Sequence, residues 1–79
     1  MIGIMRRYYF DMQNGERLTV DEEGVEFLDL VAAKQEAALA LADMVLDESL
    51  DPAKISVEVR DDAGTVMRVR LVFEIDRTD

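Results

Sequence analysis

Three stretches of the chain alternate apolar and polar residues with period two, and one long stretch carries a helical mixture instead. Residues 6–12, Arg-Arg-Tyr-Tyr-Phe-Asp-Met, are rich in aromatics and read as a strand. Its alternation puts Tyr8, Phe10 and Met12 on one face and Arg7, Tyr9 and Asp11 on the other. Asn14-Gly15 follows, a strong hairpin signal because both residues tolerate the positive φ of a type I′ turn. A short second strand, Arg17 to Val20, is expected to return beside the first and to end at the charged turn Asp21-Glu22-Glu23-Gly24.

Residues 30–48 are dominated by Ala, Leu, Met and Glu without Gly or Pro, which predicts a helix. Asp29 is placed to cap it, its carboxylate accepting from free backbone N–H groups. Asp51-Pro52 stops any continuation. Glu36, Asp43 and Asp47 line one stripe. Leu30, Ala37, Leu41 and Met44, with Val31, Ala38 and Val45, cover the opposite side. Leu39 and Leu46 sit seven apart on a flank, so the apolar arc is wider than one sheet face requires. Either the segment Val25–Leu28 covers them as a loop, or they form an exposed apolar patch of the kind that marks an interface.

Beyond the helix, Ile55, Val57 and Val59 alternate with Ser56, Glu58 and Arg60, the pattern of a half-buried strand. Asp61-Asp62-Ala63-Gly64 reads as a turn. Met67, Val69, Leu71, Phe73 and Ile75 then alternate with Arg68, Arg70, Val72, Glu74 and Asp76, predicting the longest strand of the chain. The fold class expected is α+β. Its order is β-β-α-β-β: a four-stranded, mainly antiparallel sheet with one helix packed on one face. Residues 6–76 would form a single domain, with 1–5 and 77–79 as flexible termini. Arg7, Tyr9, Ser56, Glu58, Arg60, Arg68, Arg70, Val72 and Glu74 would then share the face away from the helix. Pairs such as Glu58 with an arginine would brace that face.

Composition narrows the chemistry. The 79 residues contain no Cys, His or Trp. A Cys or Ser–His nucleophile pair, a disulfide framework and the usual zinc, haem or iron–sulfur ligand sets are all excluded. The carboxylates fall in turns or on a polar helix stripe, where the burial that tunes a general acid is not expected. Asp21, Glu22, Glu23 and Glu26 lack the ligand spacing and central glycine of a calcium loop. No glycine-rich phosphate loop occurs. The expectations are therefore no enzyme, no cofactor and no metal site.

Charge points outward. Of a net charge of −9, residues 21–51 hold ten acids against Lys34 alone. Such a surface repels phosphate backbones and membrane headgroups, so direct nucleic-acid binding and membrane association are not expected. No apolar stretch reaches the roughly 20 residues of a membrane span, and no signal peptide is recognisable. A cytoplasmic protein is expected. A domain this small, lacking cysteine or metal staples, commonly gains stability by oligomerising. The reading that follows is a small, non-enzymatic interaction or assembly module, expected to be a homodimer. Its candidate interface residues are Leu39 and Leu46 on the helix, with Tyr9, Arg68 and Arg70 on the sheet. The alternative is an acidic regulator of a nucleic-acid-binding protein, with a basic protein surface as its partner.

Several features together carry a family likeness: Arg7-Tyr8-Tyr9-Phe10-Asp11, then Asp21-Glu22-Glu23-Gly24-Val25-Glu26-Phe27, then the Ala-rich helix, then Val57-Glu58-Val59-Arg60-Asp61 with Gly64 and the Val69-to-Glu74 strand. In that combination the chain resembles a family of short uncharacterised bacterial proteins. That family has an R-Y-[FY]-F-D start, a D-E-E-G-x-E block before its helix and a V-x-V-R-D-x-x-G hairpin. The resemblance spans residues 6–76. It implies one compact domain of unknown function, and places Met5 where such proteins usually start. It brings no activity and no catalytic residue.

Overall fold

The chain is built around one strand, β1 (Arg6–Asn14), in a computed structural model that describes residues 4–72 and 76–78. On one edge β1 pairs antiparallel with β4 (Ile55–Asp61), from Tyr9 opposite Arg60 to Asn14 opposite Ile55. β4 in turn pairs antiparallel with β5 (Gly64–Arg70). The other edge of β1 is shared by two three-residue strands placed end to end. β2 (Arg17–Thr19) pairs with Met12–Asn14, and β3 (Val25–Phe27) pairs with Arg6–Tyr8. The α+β class holds, with five strands rather than the four expected.

Helix α1 (Leu30–Val45) lies on one face, mainly over β4. Asp29 caps it, accepting from the Ala32 N–H at 2.9 Å. It ends three residues short of the expected 48, because Asp47 accepts from both the N–H and the hydroxyl of Ser49 and folds the chain into a local turn. The acids Asp47 and Glu48 thus stand just past the C-cap Leu46 and not in the last turn of the helix. A 3₁₀ turn (Pro52–Lys54), capped by Asp51, leads into β4. Among the described residues no helix is long and apolar enough to cross a membrane.

The core is the layer between helix and sheet: Tyr8 and Phe10 from β1, Ile55, Val57 and Val59 from β4, and Ala33, Ala37 and Leu41 from α1. Alanines at the contact let helix and sheet approach closely. Phe27 of β3 closes one end, its ring edge-on to Phe10 at 6.0 Å between centroids. Leu30, Val31 and Ala38, expected on the buried side, are exposed instead. The helix is rotated so that Ala33 and Ala37, both fully buried, face the sheet.

Two further expectations are corrected. The first hairpin turns at Gly15-Glu16, since Asn14 is opposite Arg17. Only Gly15 has positive φ, at 60°, so the glycine sits first in the loop as a type II′ turn requires. β5 ends at Arg70; Leu71 and Val72 have left the ladder, so within the described residues β1, at nine residues, exceeds β5 at seven. The positions expected to continue it, Phe73 to Ile75, lie outside the described residues.

Candidate functional site

Between β2 and β3 the outer edge of β1 has a gap, and Asp21 fills it. The Phe10 N–H donates to Asp21 Oδ2 at 3.0 Å, where a strand carbonyl would otherwise stand. Asp21 Oδ1 accepts from the N–H groups of Glu23 and Gly24, each at 3.1 Å, which holds the D-E-E-G turn as an Asx turn. Gly24 has φ of 70°, and any Cβ there would lie 2.8 Å from the Tyr8 carbonyl oxygen. Glycine is required both for the backbone conformation and for the close approach of the turn to β1.

The same turn closes over a second carboxylate. Asp11 accepts from the Asp21 N–H at 2.8 Å and from Arg60 Nε at 2.7 Å. Arg60 also donates through Nη2 to the Asp21 carbonyl at 2.7 Å, and its guanidinium lies 4.5 Å above the Tyr9 ring. Burial opposes ionisation of Asp21, but the N–H donors from Phe10, Gly24 and Glu23 and the charge of Arg60 outweigh it and hold the carboxyl below its usual range. The hydrogen bond to Asp11 pushes the Arg60 guanidinium up. Asp11 is only 6% exposed, against the expectation that the acids avoid burial. Its cross-strand neighbourhood explains this, since Arg60 and the turn together cover it.

All four oxygens of the two carboxylates accept from N–H donors. Among the described residues no three potential ligands are grouped to hold a metal ion. The network locks the turn, β1 and β4 together. Sequence reading missed it because its members lie far apart in the chain. The one local signal was the D-x-x-G spacing of Asp21 and Gly24, a turn in which an aspartate binds its own following backbone.

The candidate interface residues fall on two separate surfaces. Leu39 and Leu46 are 63% and 80% exposed on the outer side of α1. Val25–Phe27 does not cover them, because it is hydrogen-bonded into the sheet as β3. On the opposite face of the sheet, Tyr9 is half-buried beneath Arg60 and Arg68 pairs with Glu58 at 3.1 Å. Arg70 stands exposed opposite Ser56 at the end of β5. The sheet lies between the two groups, so they do not form one patch.

Two depressions flank the helix. On the β5 side, Ala38, Leu41, Ala42, Val45, Leu46 and Leu71 line an apolar groove of about 340 Å³. On the β2 side a cleft of about 460 Å³ runs between the helix and residues 19–25, with an apolar floor and acidic walls.

One helix on an antiparallel sheet, with an aspartate–arginine lock that ties the D-E-E-G turn to β1 and β4, defines a small α+β domain. The chain belongs to the family Domain of unknown function (DUF6894), whose model matches residues 7–72. Comparison with the curated proteins and with the solved structures found no significant match.

Proposed function

We propose that the protein is a non-enzymatic interaction module that works as a homodimer, joined through the β5-side flank of α1 and the adjoining strand edge. The observation that carries this reading is the apolar groove beside Leu46. None of its six lining residues is charged, in a chain of which 34% is charged. Leu46, which lines it, and Val72, next in sequence to the lining Leu71, are 80% and 78% exposed. An apolar surface of this kind on so small a domain is the usual mark of an interface. The outer edge of β5 carries no partner strand among the described residues. A β-bulge where β5 faces Val59 and Arg60 bends its first half, leaving Met67–Arg70 as the straight part of the edge. Two copies meeting here would bury the apolar flank and supply the stability that cysteine or metal would give elsewhere. That each carboxylate oxygen of Asp11 and Asp21 already accepts from an N–H donor supports the non-enzymatic part of the reading.

Size exclusion coupled to light scattering, at low and high salt, tests it. The expected result is a mass near twice the 9.0 kDa of one chain that persists at high salt, since apolar burial is not screened. Leu46→Asp/Val72→Asp, at two exposed positions on this flank, should give folded monomers with an unchanged circular dichroism spectrum, weakening association by about tenfold or more, or ~1.4 kcal/mol. A monomeric parent, or a dimer untouched by the double change, overturns the proposal.

A further inference from the structure

The β2-side flank of α1 differs in chemistry from the β5 side. Glu36, Ala40, Asp43 and Asp47 recur along it at helical spacing, or just past the helix end. Facing them is the turn that Asp21 holds in place, with Glu22 and Glu23 exposed on it. Phe10, Met12, Val20 and Val25 form the floor between, and Val20 is 51% exposed. A second depression of about 310 Å³, floored by Met44 and Leu50, adjoins the first and shares Met12 and Ala40 with it. The two make one trough. Every ionisable side chain that lines it is a carboxylate, and none is basic. From Glu36 to the helix end at Val45 it runs about 13 Å, or two and a half turns of helix, at ~1.5 Å per residue, with Asp47 just beyond.

We propose that this trough docks a basic amphipathic helix of a protein partner. Apolar side chains on one face of that helix would lie along the Met12–Val20–Ala40 floor, and its lysines and arginines would reach the carboxylates of both walls. An apolar floor alone would accept many occupants; the walls select among them. Phosphate backbones and anionic lipid surfaces are repelled by this lining. The chain's own helix region makes a poor occupant of this trough, because residues 21–51 carry ten acids against Lys34 alone. The groove assigned above to the homodimer is on the other flank of the helix, so both surfaces can be occupied at once. The rigid wall also matters: the Asp21 lock holds Glu22 and Glu23 opposite the helix before any partner arrives, which lowers the ordering cost of binding.

The probe is a fluorescein-labelled 15-residue leucine–lysine peptide with all its leucines on one helical face. A peptide of the same composition in scrambled order is the comparison, and binding is read by anisotropy. The parent should bind the ordered peptide at least about tenfold more tightly than the scrambled one, with affinity falling as salt rises. E22Q/E23Q/E36Q should weaken binding about tenfold, whereas E16Q/D62N/D76N, an equal charge change at exposed sites that do not line the trough, should change it less than about twofold. Val20→Asp is decisive, because it adds negative charge while spoiling the floor: docking predicts weaker binding, and attraction by charge alone predicts stronger binding. Val20→Asp binding as well as the parent, equal loss in the two triple variants, or equal binding of the scrambled peptide overturns the proposal. So does tighter binding of labelled duplex DNA than of the ordered peptide. Light scattering on the same variants should show the parent's mass, so the outcome here is separate from that of the homodimer.

Discussion

Asp21 shows how one side chain can stand in for a strand. Its carboxylate meets the Phe10 N–H in the gap between β2 and β3 and fixes the backbone of its own turn, while its carbonyl receives Arg60. Because its folded pKa is depressed, its contribution to stability is fully present above the unfolded aspartate value of about 3.9. That contribution is lost as the pH falls through the lower folded value. Asp21→Asn keeps the size but places an NH₂ against N–H donors. It should cost about 1–3 kcal/mol at neutral pH, the range for leaving hydrogen-bonded groups unsatisfied. In urea unfolding followed between neutral pH and pH 3, the difference between parent and variant should shrink below about pH 4. A gap that stays constant across that range would mean Asp21 acts through shape alone. None of this was visible in the D-E-E-G block beyond a turn, since Phe10, Asp11 and Arg60 join it only after β1 and β4 pair.

Helix α1 shows which parts of an element a sequence announces. Its start was legible because a cap is a local device: Asp29 accepts from Ala32 three residues on. With no acid in the first turn, that cap supplies the negative charge at the helix N-terminus. Asp29→Ala should therefore lower stability by about 1 kcal/mol, or a thermal midpoint drop of about 4–8 °C for a chain this size. Circular dichroism melting checks it, and an unchanged midpoint would show that packing of Ala33 and Ala37 alone sets where the helix begins. The alternation of Ile55–Arg60 was equally local, and β4 formed there. β3 was not legible, because Val25-Glu26-Phe27 is too short to show a period and is a strand only because β1 has an unoccupied edge beside it. The first turn slipped by one residue for a related reason. Asn14 is claimed by the β1–β4 ladder opposite Ile55, so the loop falls on Gly15-Glu16. For the candidate residues, exposure of Leu39 and Leu46 depended on that same unseen strand, since a loop free to fold back would have covered them.

Across the whole molecule the dominant unbalanced quantity is charge. Residues 21–51 carry ten acids against one lysine, in and next to the helix, while the ion pairs Arg7–Glu26, Arg60–Asp11 and Arg68–Glu58 bridge β1 to β3, β1 to β4 and β4 to β5. These two terms respond oppositely to salt. Exposed pairs such as Arg7–Glu26 and Arg68–Glu58 are worth about 0–1 kcal/mol each, and screening takes part of that away. Self-repulsion at net charge −9 opposes the compact state, and screening relieves it. The Debye length falls from ~30 Å at 0.01 M to ~10 Å at 0.1 M, so most cross-molecule repulsion disappears in that interval while contacts at a few ångströms persist. Repulsion should therefore win. At neutral pH the thermal midpoint is expected to rise as sodium chloride is added from 0.01 to about 0.1 M, and then to flatten. Near the sequence isoelectric point of about 4.3 the net charge vanishes, and the rise should vanish with it. A midpoint that falls with salt at neutral pH would show that the three arginine pairs, rather than the excess of acids in residues 21–51, set the electrostatic balance of the fold.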